Sequence, residues 1–216
     1  MIFTIDHSFD SLIFDLDGTL WDTCATCALA WNEVLRRNAI SFRTITAQDV
    51  RSVTGLPHAE CIDRIFVGLD ANTRRLITEE TMIEDNLYVD RHGGELYDGV
   101  LDGIPKLAQR YKLLIVSNCQ SGYIETFLRL TGLAPFFTDI ECWGNTGESK
   151  SANTASLIKR NALSRPLLIG DTAGDALAAK DNKLPFAFVT YGFGKVDKPD
   201  IIFDTFDQLV AQLLND

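Results

Sequence analysis

An apolar segment, Leu12-Ile13-Phe14, runs directly into Asp15-Leu16-Asp17-Gly18-Thr19. In extended backbone, side chains two apart share a face, so the two carboxylates start out on one side. At about 4 Å they repel by roughly 4 kcal/mol at an effective dielectric of 20, unless a proton, a cation or water intervenes. Asp and Gly also favour turns, so this segment alone reads equally well as a solvated turn after a strand. Three other places change the balance. Ser117-Asn118 closes LLIVSN, Lys150 stands in GESKSANTASL, and Gly170-Asp171-Thr172-Ala173-Gly174-Asp175 follows an apolar run at 167–169. Hard oxygen ligands without His or Cys suit Mg2+. A carboxylate can act as a nucleophile, with its neighbour as acid and base. Lys150 and the Ser117 hydroxyl would hold developing negative charge. Backbone N–H groups around Gly18 and Asn118 would cradle a phosphate.

These groups need a scaffold that delivers them to one edge. Short apolar runs recur at 12–15, 113–117, 167–171, 186–190 and 201–203, with a further short strand expected at 138–142. They lack apolar/polar alternation, as expected for strands buried on both faces of a parallel sheet. Helix-like stretches at 102–110, 121–130, 151–162, 173–181 and 205–214 alternate with them. The expected fold is therefore α/β, a Rossmann-like parallel sheet with helices on both faces. In such sheets ligands bind beyond the carboxyl ends of the strands, where all four segments fall.

Residues 22–92 break the alternation. They contain no convincing strand and several amphipathic patterns: Ala28, Leu29, Trp31, Val34 and Leu35 on one face, and Cys61, Ile62, Ile65 and Phe66 on another, within a helix expected at 58–68. The division expected is a core of 1–21 and 93–216, with a helical cap at 22–92. Gly93-Gly94 and Asp98-Gly99 form the return linker. The arginines here, among them Arg36, Arg37, Arg43, Arg51, Arg64, Arg74 and Arg75, read as solvated helix faces, with one or two able to reach a shared cleft.

Composition narrows the partners. At 46% hydrophobic and 23% charged, the 216-residue chain has the balance of an ordinary globular protein. A net charge of −10 argues against a nucleic-acid groove or an anionic membrane surface, though not against a small phosphorylated substrate beside a metal. No apolar run approaches the roughly 20 residues that span a bilayer. MIFTIDHSFD lacks the pattern of a secretion signal, and five cysteines are an odd number, so a reducing cytoplasm is the expected compartment. Cys24-x-x-Cys27 has no second pair and reads as buried small residues, and Cys119 as a packing cysteine rather than a reactive thiol. The chain is compatible with a monomer or a homodimer.

The ordered set DLDGT, SN, K and GDTAGD resembles the haloacid dehalogenase superfamily of phosphotransferases. A helical insert after the first motif is similar to the cap of its phosphoglycolate phosphatase and β-phosphoglucomutase branch. That resemblance implies Asp15 as nucleophile and Asp17 as acid/base. It implies Mg2+ held by Asp15, the Asp17 carbonyl and Asp171, with Asp175 supporting from behind. It assigns Ser117, Asn118, Lys150 and Gly18 to the phosphoryl group; Lys150 is preferred to Lys159 because it precedes Gly170 by 20 residues rather than 11. TGLPHAE (54–60) resembles the cap loop that faces substrate, which brings in Gly55 and His58. Asp17 argues against dehalogenase chemistry, and the absence of lysine before Lys106 argues against a phosphonate-cleaving Schiff base. Mutases of this branch carry a histidine where this chain has Cys27. The implied activity is a Mg2+-dependent phosphatase of a small phosphorylated metabolite, phosphoglycolate-like or a sugar phosphate. A phosphomutase is the alternative, and a non-catalytic binding protein is a third reading.

Overall fold

Strand β1 (Ser11–Phe14) is buried at every position in the computed structural model, which describes residues 9–215. It pairs in parallel with β4 (Lys112–Ser117) on one side and β6 (Pro166–Gly170) on the other. Strands β5 (Phe137–Cys142), β7 (Phe186–Val189) and β8 (Ile201–Phe203) complete a six-stranded parallel sheet in the order β5-β4-β1-β6-β7-β8. Counting only this sheet's strands along the chain, the order is 3-2-1-4-5-6, which reverses direction at β1 and opens a crevice at its carboxyl end.

The missing alternation in β1 has a packing cause. Leu12 and Phe14 belong to one buried cluster and Ile13 to another, so successive side chains meet helices on opposite faces. Each such side chain, fully buried, contributes about 1.5–3 kcal/mol. The helices that cover the sheet are α5 (Val100–Leu107), α6 (Tyr123–Thr131), α7 (Trp143–Thr146), α8 (Lys150–Arg160), α9 (Ala173–Asp181) and α10 (Phe206–Leu214). Apart from α7, which was not expected, their ends differ from the expected ones by at most three residues.

Two short antiparallel strands, β2 (Trp21–Asp22) and β3 (Glu95–Leu96), mark where the chain leaves this layer and returns. Between them lie α1 (Cys24–Arg37), α2 (Ala47–Arg51), α3 (His58–Ile65) and α4 (Ala71–His92). Gly94 sits where a Cβ would come within 2.6 Å of Thr23, so this crossing requires glycine. The helix expected at 58–68 stops at Ile65, because Gly68 lies at φ +99° and turns the chain into α4. On α1 the buried stripe is Cys24, Cys27, Ala28, Trp31, Val34 and Leu35, together with Ala30. Leu29, expected on that face, is 56% exposed: it follows Ala28 by one residue, and the 100° step carries it to solvent.

Among the described residues no helix is long and apolar enough to cross a membrane. The opening residues read above for a secretion signal lie mostly outside the described residues.

Candidate active site

The register brings three strand ends level. Phe14 stands opposite Ile115 and Ile169, and the Asp15 N–H donates to the Ile169 carbonyl (2.8 Å). Asp15 therefore leaves β1 one residue short of the levels of Ser117, the last residue of β4, and Asp171, the first residue past β6. Lys150 arrives separately, as the first residue of α8 behind its N-cap Ser149. Its ammonium donates to Asp15 Oδ1 and to Asp175 Oδ1, both at 2.7 Å.

Asp175 is fixed on its other side. Asp175 Oδ2 accepts from the backbone N–H groups of Asp171 (3.2 Å) and Thr172 (2.9 Å) and from the Thr172 hydroxyl (2.7 Å). Thr172, not Asp171, caps α9, and the cap leaves Asp171 turned toward Asp15. Asp171 accepts from the Thr19 hydroxyl (3.3 Å) and from the Phe193 N–H (2.7 Å). A Cβ on Gly18, at φ +88°, would lie 2.3 Å from Asp171 Oδ2, so glycine is what lets the first motif approach the fourth.

The oxygens of Asp15, Asp171 and Asp175 lie within 4.8 Å of one another, and all three residues are buried. Burial and the Asp175 charge hold Asp15 well above the usual carboxylate range, while Lys150 pulls the other way. The same two causes, in the same order, push Asp171 up to about 7. On Lys150 burial favours the neutral amine, but the charges of Asp15 and Asp175 outweigh it and keep the ammonium protonated. Three buried carboxylates thus face one cation. That all-oxygen, charge-deficient set fits a hard divalent ion such as Mg2+.

Asp17 sits outside that group. Its Oδ1 accepts from the Tyr123 hydroxyl (2.9 Å), and the Thr23 hydroxyl lies 3.2 Å away. Burial pushes it up to about 6, with those two hydroxyls opposing. The repulsion implied by the D-x-D spacing is thereby relieved: one carboxylate takes a lysine, the other two neutral hydroxyls.

Asp15, Asp17, Ser117, Asn118 and Lys150 all line one cavity of about 70 Å3. Its opposite wall comes from the helical segment and includes Gly55 and His58. Asn118 Nδ2 donates to the Gly55 carbonyl (2.9 Å), tying the end of β4 to the loop before α3. Cys119 also lines the cavity, its thiol pushed up by burial. Cys24 and Cys27 are buried thiols raised by the same cause, with no thiol in the metal-compatible group.

None of the arginines between residues 36 and 91 lines the cavity. Arg37 pairs with Glu80 and Glu84, and Arg43 with Asp49. Arg51 pairs with Asp22 and lies over the Phe193 ring, 4.9 Å from its centre. Sequence reasoning missed Thr19, Thr23, Tyr123 and Phe193, which orient the aspartates, and Trp31 and Asp85 on the far wall. Only Thr19 and Thr23 carried any signal, being next to the first motif.

The family model for haloacid dehalogenase-like hydrolases matches residues 12–189. A phosphoglycolate phosphatase of Colwellia psychrerythraea is 29% identical over 221 residues, covering 94% of this chain and 96% of that protein. One from Vibrio vulnificus is 27% identical, covering 94% and 95%. A haloacid dehalogenase-like family hydrolase from Streptococcus pneumoniae superposes with a TM-score of 0.79 at 20% identity, covering 94% of this chain and 98% of that one, and shares the fold. With the family model spanning all four motif segments, the chain belongs to the haloacid dehalogenase-like hydrolase family.

Proposed function

We propose that the protein is a phosphoric monoester hydrolase of a small phosphorylated metabolite, phosphoglycolate-like or a sugar phosphate, working through an aspartyl-phosphate. The observation that carries this reading is the unequal pair at the end of β1. Asp15 is bonded to a buried ammonium, while Asp17 is held by neutral hydroxyls. Two neighbouring carboxylates in such different surroundings suit a nucleophile and an acid/base.

Asp15 attacks phosphorus as the ester P–O bond breaks, and Asp17 gives its proton to the departing alkoxide. Asp17 then takes a proton from water, whose oxygen attacks the phosphoryl group and frees Asp15. Lys150, Ser117 and Asn118 hold the phosphoryl oxygens, and the positive φ of Gly18 gives them close backbone approach. Asp15 and Asp171, with the Asp17 carbonyl, would hold Mg2+, and Asp175 would orient them from behind. When bound, Mg2+ supplies the charge that lets Asp15 ionise and neutralises the phosphoryl oxygens. Residues 22–92 serve as a cap that excludes water, and the Asn118–Gly55 hydrogen bond and the Arg51–Phe193 stack support such a closed arrangement.

The test is phosphate release from a panel of small phosphate esters, with Mg2+ and with chelator, by the natural chain and by Asp15→Asn. Turnover that disappears with either change is expected. Activity surviving in Asp15→Asn would refute the nucleophile assignment.

A further inference from the structure

The segment after β7, Tyr191-Gly192-Phe193-Gly194, grips Asp171 from the side away from Lys150. The Phe193 N–H donates to Asp171 Oδ2 (2.7 Å). Asp171 Oδ1 accepts from the Thr19 hydroxyl (3.3 Å), and the Thr19 carbonyl accepts in turn from the Tyr191 hydroxyl (3.0 Å). Both carboxylate oxygens are thus held by this segment, one directly and one through Thr19. The packing has no slack: a Cβ on Gly192 would lie 2.3 Å from Asp171 Cβ, and one on Gly194 would lie 2.4 Å from the Asp171 carbonyl oxygen.

The same segment is where residues 22–92 rest on the sheet layer. The Arg51 guanidinium, on α2, lies over the Phe193 ring, 4.9 Å from its centre. Arg51 also pairs with Asp22, in the strand by which the chain leaves the sheet layer. Tyr97, just past the strand by which the chain returns, packs its ring against Tyr191 with centres 4.6 Å apart. A displacement of α2 therefore acts first on Phe193, and Phe193 has no room to move without moving Asp171.

We propose that Phe193 is a positioning residue that couples the cap to the metal site: with Arg51 seated on its ring, its N–H holds Asp171 in the place where it ligates Mg2+. This rests on the metal site given under the proposed function and adds its regulation. Groups that orient a metal ligand from behind tune the affinity of the metal. Mg2+ is then bound more tightly when the cap is closed, and by reciprocity Mg2+ favours closure. The chemistry is in this way fully assembled only when water is excluded. Electrostatics alone predicts the opposite sign, because Arg51 is a cation near a cation site and its removal should tighten Mg2+.

The test is Mg2+ binding by calorimetry, without substrate, to the natural chain, Arg51→Ala, Phe193→Leu, Phe193→Tyr and the double variant Arg51→Ala/Phe193→Leu. The Arg51 side chain is 37% exposed, so Arg51→Ala should fold and decides the matter even where Phe193→Leu does not. A cation–aromatic contact at such a site limits the coupling to about two- to fivefold, the weakening expected in Arg51→Ala. Phe193→Leu should weaken Mg2+ at least as much, and Phe193→Tyr, which keeps the ring, should bind like the natural chain. In the Phe193→Leu background Arg51→Ala should weaken Mg2+ no further. Mg2+ should also slow amide hydrogen exchange across α2 in the natural chain and not in Arg51→Ala. The proposal is overturned if Arg51→Ala binds Mg2+ as tightly as the natural chain or more tightly, if its effect is the same with and without the Phe193 ring, or if Mg2+ leaves exchange across α2 unchanged in the natural chain. A natural chain that does not bind Mg2+ overturns the metal site and the coupling together, whereas binding indifferent to the variants overturns the coupling alone.

Discussion

The two walls of the cavity treat buried charge in opposite ways. On the sheet side, Lys150 bridges Asp15 and Asp175, and Asp175 Oδ2 takes three further donors. On the helical side, Asp85 keeps Oδ1 unpartnered, and His58 Nδ1 stands 3.9 Å from its other oxygen. The sheet wall is saturated because it must hold the same geometry whatever the leaving alcohol is. On the sheet side charge is preorganised for the chemistry; on the helical side burial leaves an acid and an imidazole neutral instead.

The sharpest way to divide the walls is Asp17→Asn. It removes the proposed acid but leaves the Lys150 bridge intact, and should lower kcat/KM for alkyl phosphates, which reports the step in which the alcohol leaves, by about 10²–10⁴-fold. An aryl ester with a good leaving group should lose far less. Equal losses on both ester types would remove Asp17 from the acid role.

Next in size, Lys150→Met breaks the sheet wall itself. Leaving Asp15 and Asp175 buried without their cation should cost about 3–5 kcal/mol, a fall in melting temperature of roughly 10 °C in metal-free buffer. The loss should be larger at high pH than at low pH, because protonation of Asp15, which burial already favours, relieves the uncompensated charge. A melting temperature indifferent to pH would mean that the bridge carries no such charge.

The helical wall predicts a smaller signature. Burial raises Asp85 to about 8, with the Trp31 N–H opposing, and lowers His58 to about 4. The unfolded chain releases the Asp85 proton near pH 3.8, so between there and pH 8 the native state binds more protons and Asp85 makes stability fall as pH rises. His58 acts oppositely, but only between about 4 and its unfolded value of 6.5. Above pH 6.5 Asp85 acts alone of the two. Asp85→Asn should therefore flatten the decline from pH 6.5 to 8 by at most about 1 kcal/mol per pH unit, read from denaturant unfolding at each pH. Parallel curves for the two proteins would refute the protonated native Asp85.

The least effect belongs to the contact that joins the walls. Arg51→Ala removes a half-exposed ion pair with Asp22 and a stack on Phe193. It should cost about 1 kcal/mol or less in stability and raise KM more than it lowers kcat. A kcat loss as large as that of Asp17→Asn would place Arg51 in the chemistry rather than in closure.

The contrast also separates what was readable in the sequence from what was not. Asp15, Ser117, Asn118, Lys150 and Asp171 stand at strand ends or helix starts, positions that short-range patterns of apolar runs and caps reveal. A parallel sheet with ends in register then brings them together with little further information. The apolar period also identified the buried stripe of α1 apart from Leu29, which an error of one residue moved to solvent.

The far wall had no comparable signal. Asp85 lies in α4, a helix without a clear apolar face in its sequence, 54 residues from the Trp31 that bonds it. Tyr123 is 106 residues from the Asp17 it orients. By itself the sequence determined the layered α/β class, the strand ends that carry the carboxylates and the residue types available there, because these follow from local periodicity and covalent order. Only the tertiary structure decided which aspartate takes the lysine, that the arginines pair elsewhere, and that a buried acid and a neutral histidine meet on the far wall. Those outcomes depend on burial and on contacts between distant helices, which set hydrogen-bond partners and ionisation and leave no trace in neighbouring residues.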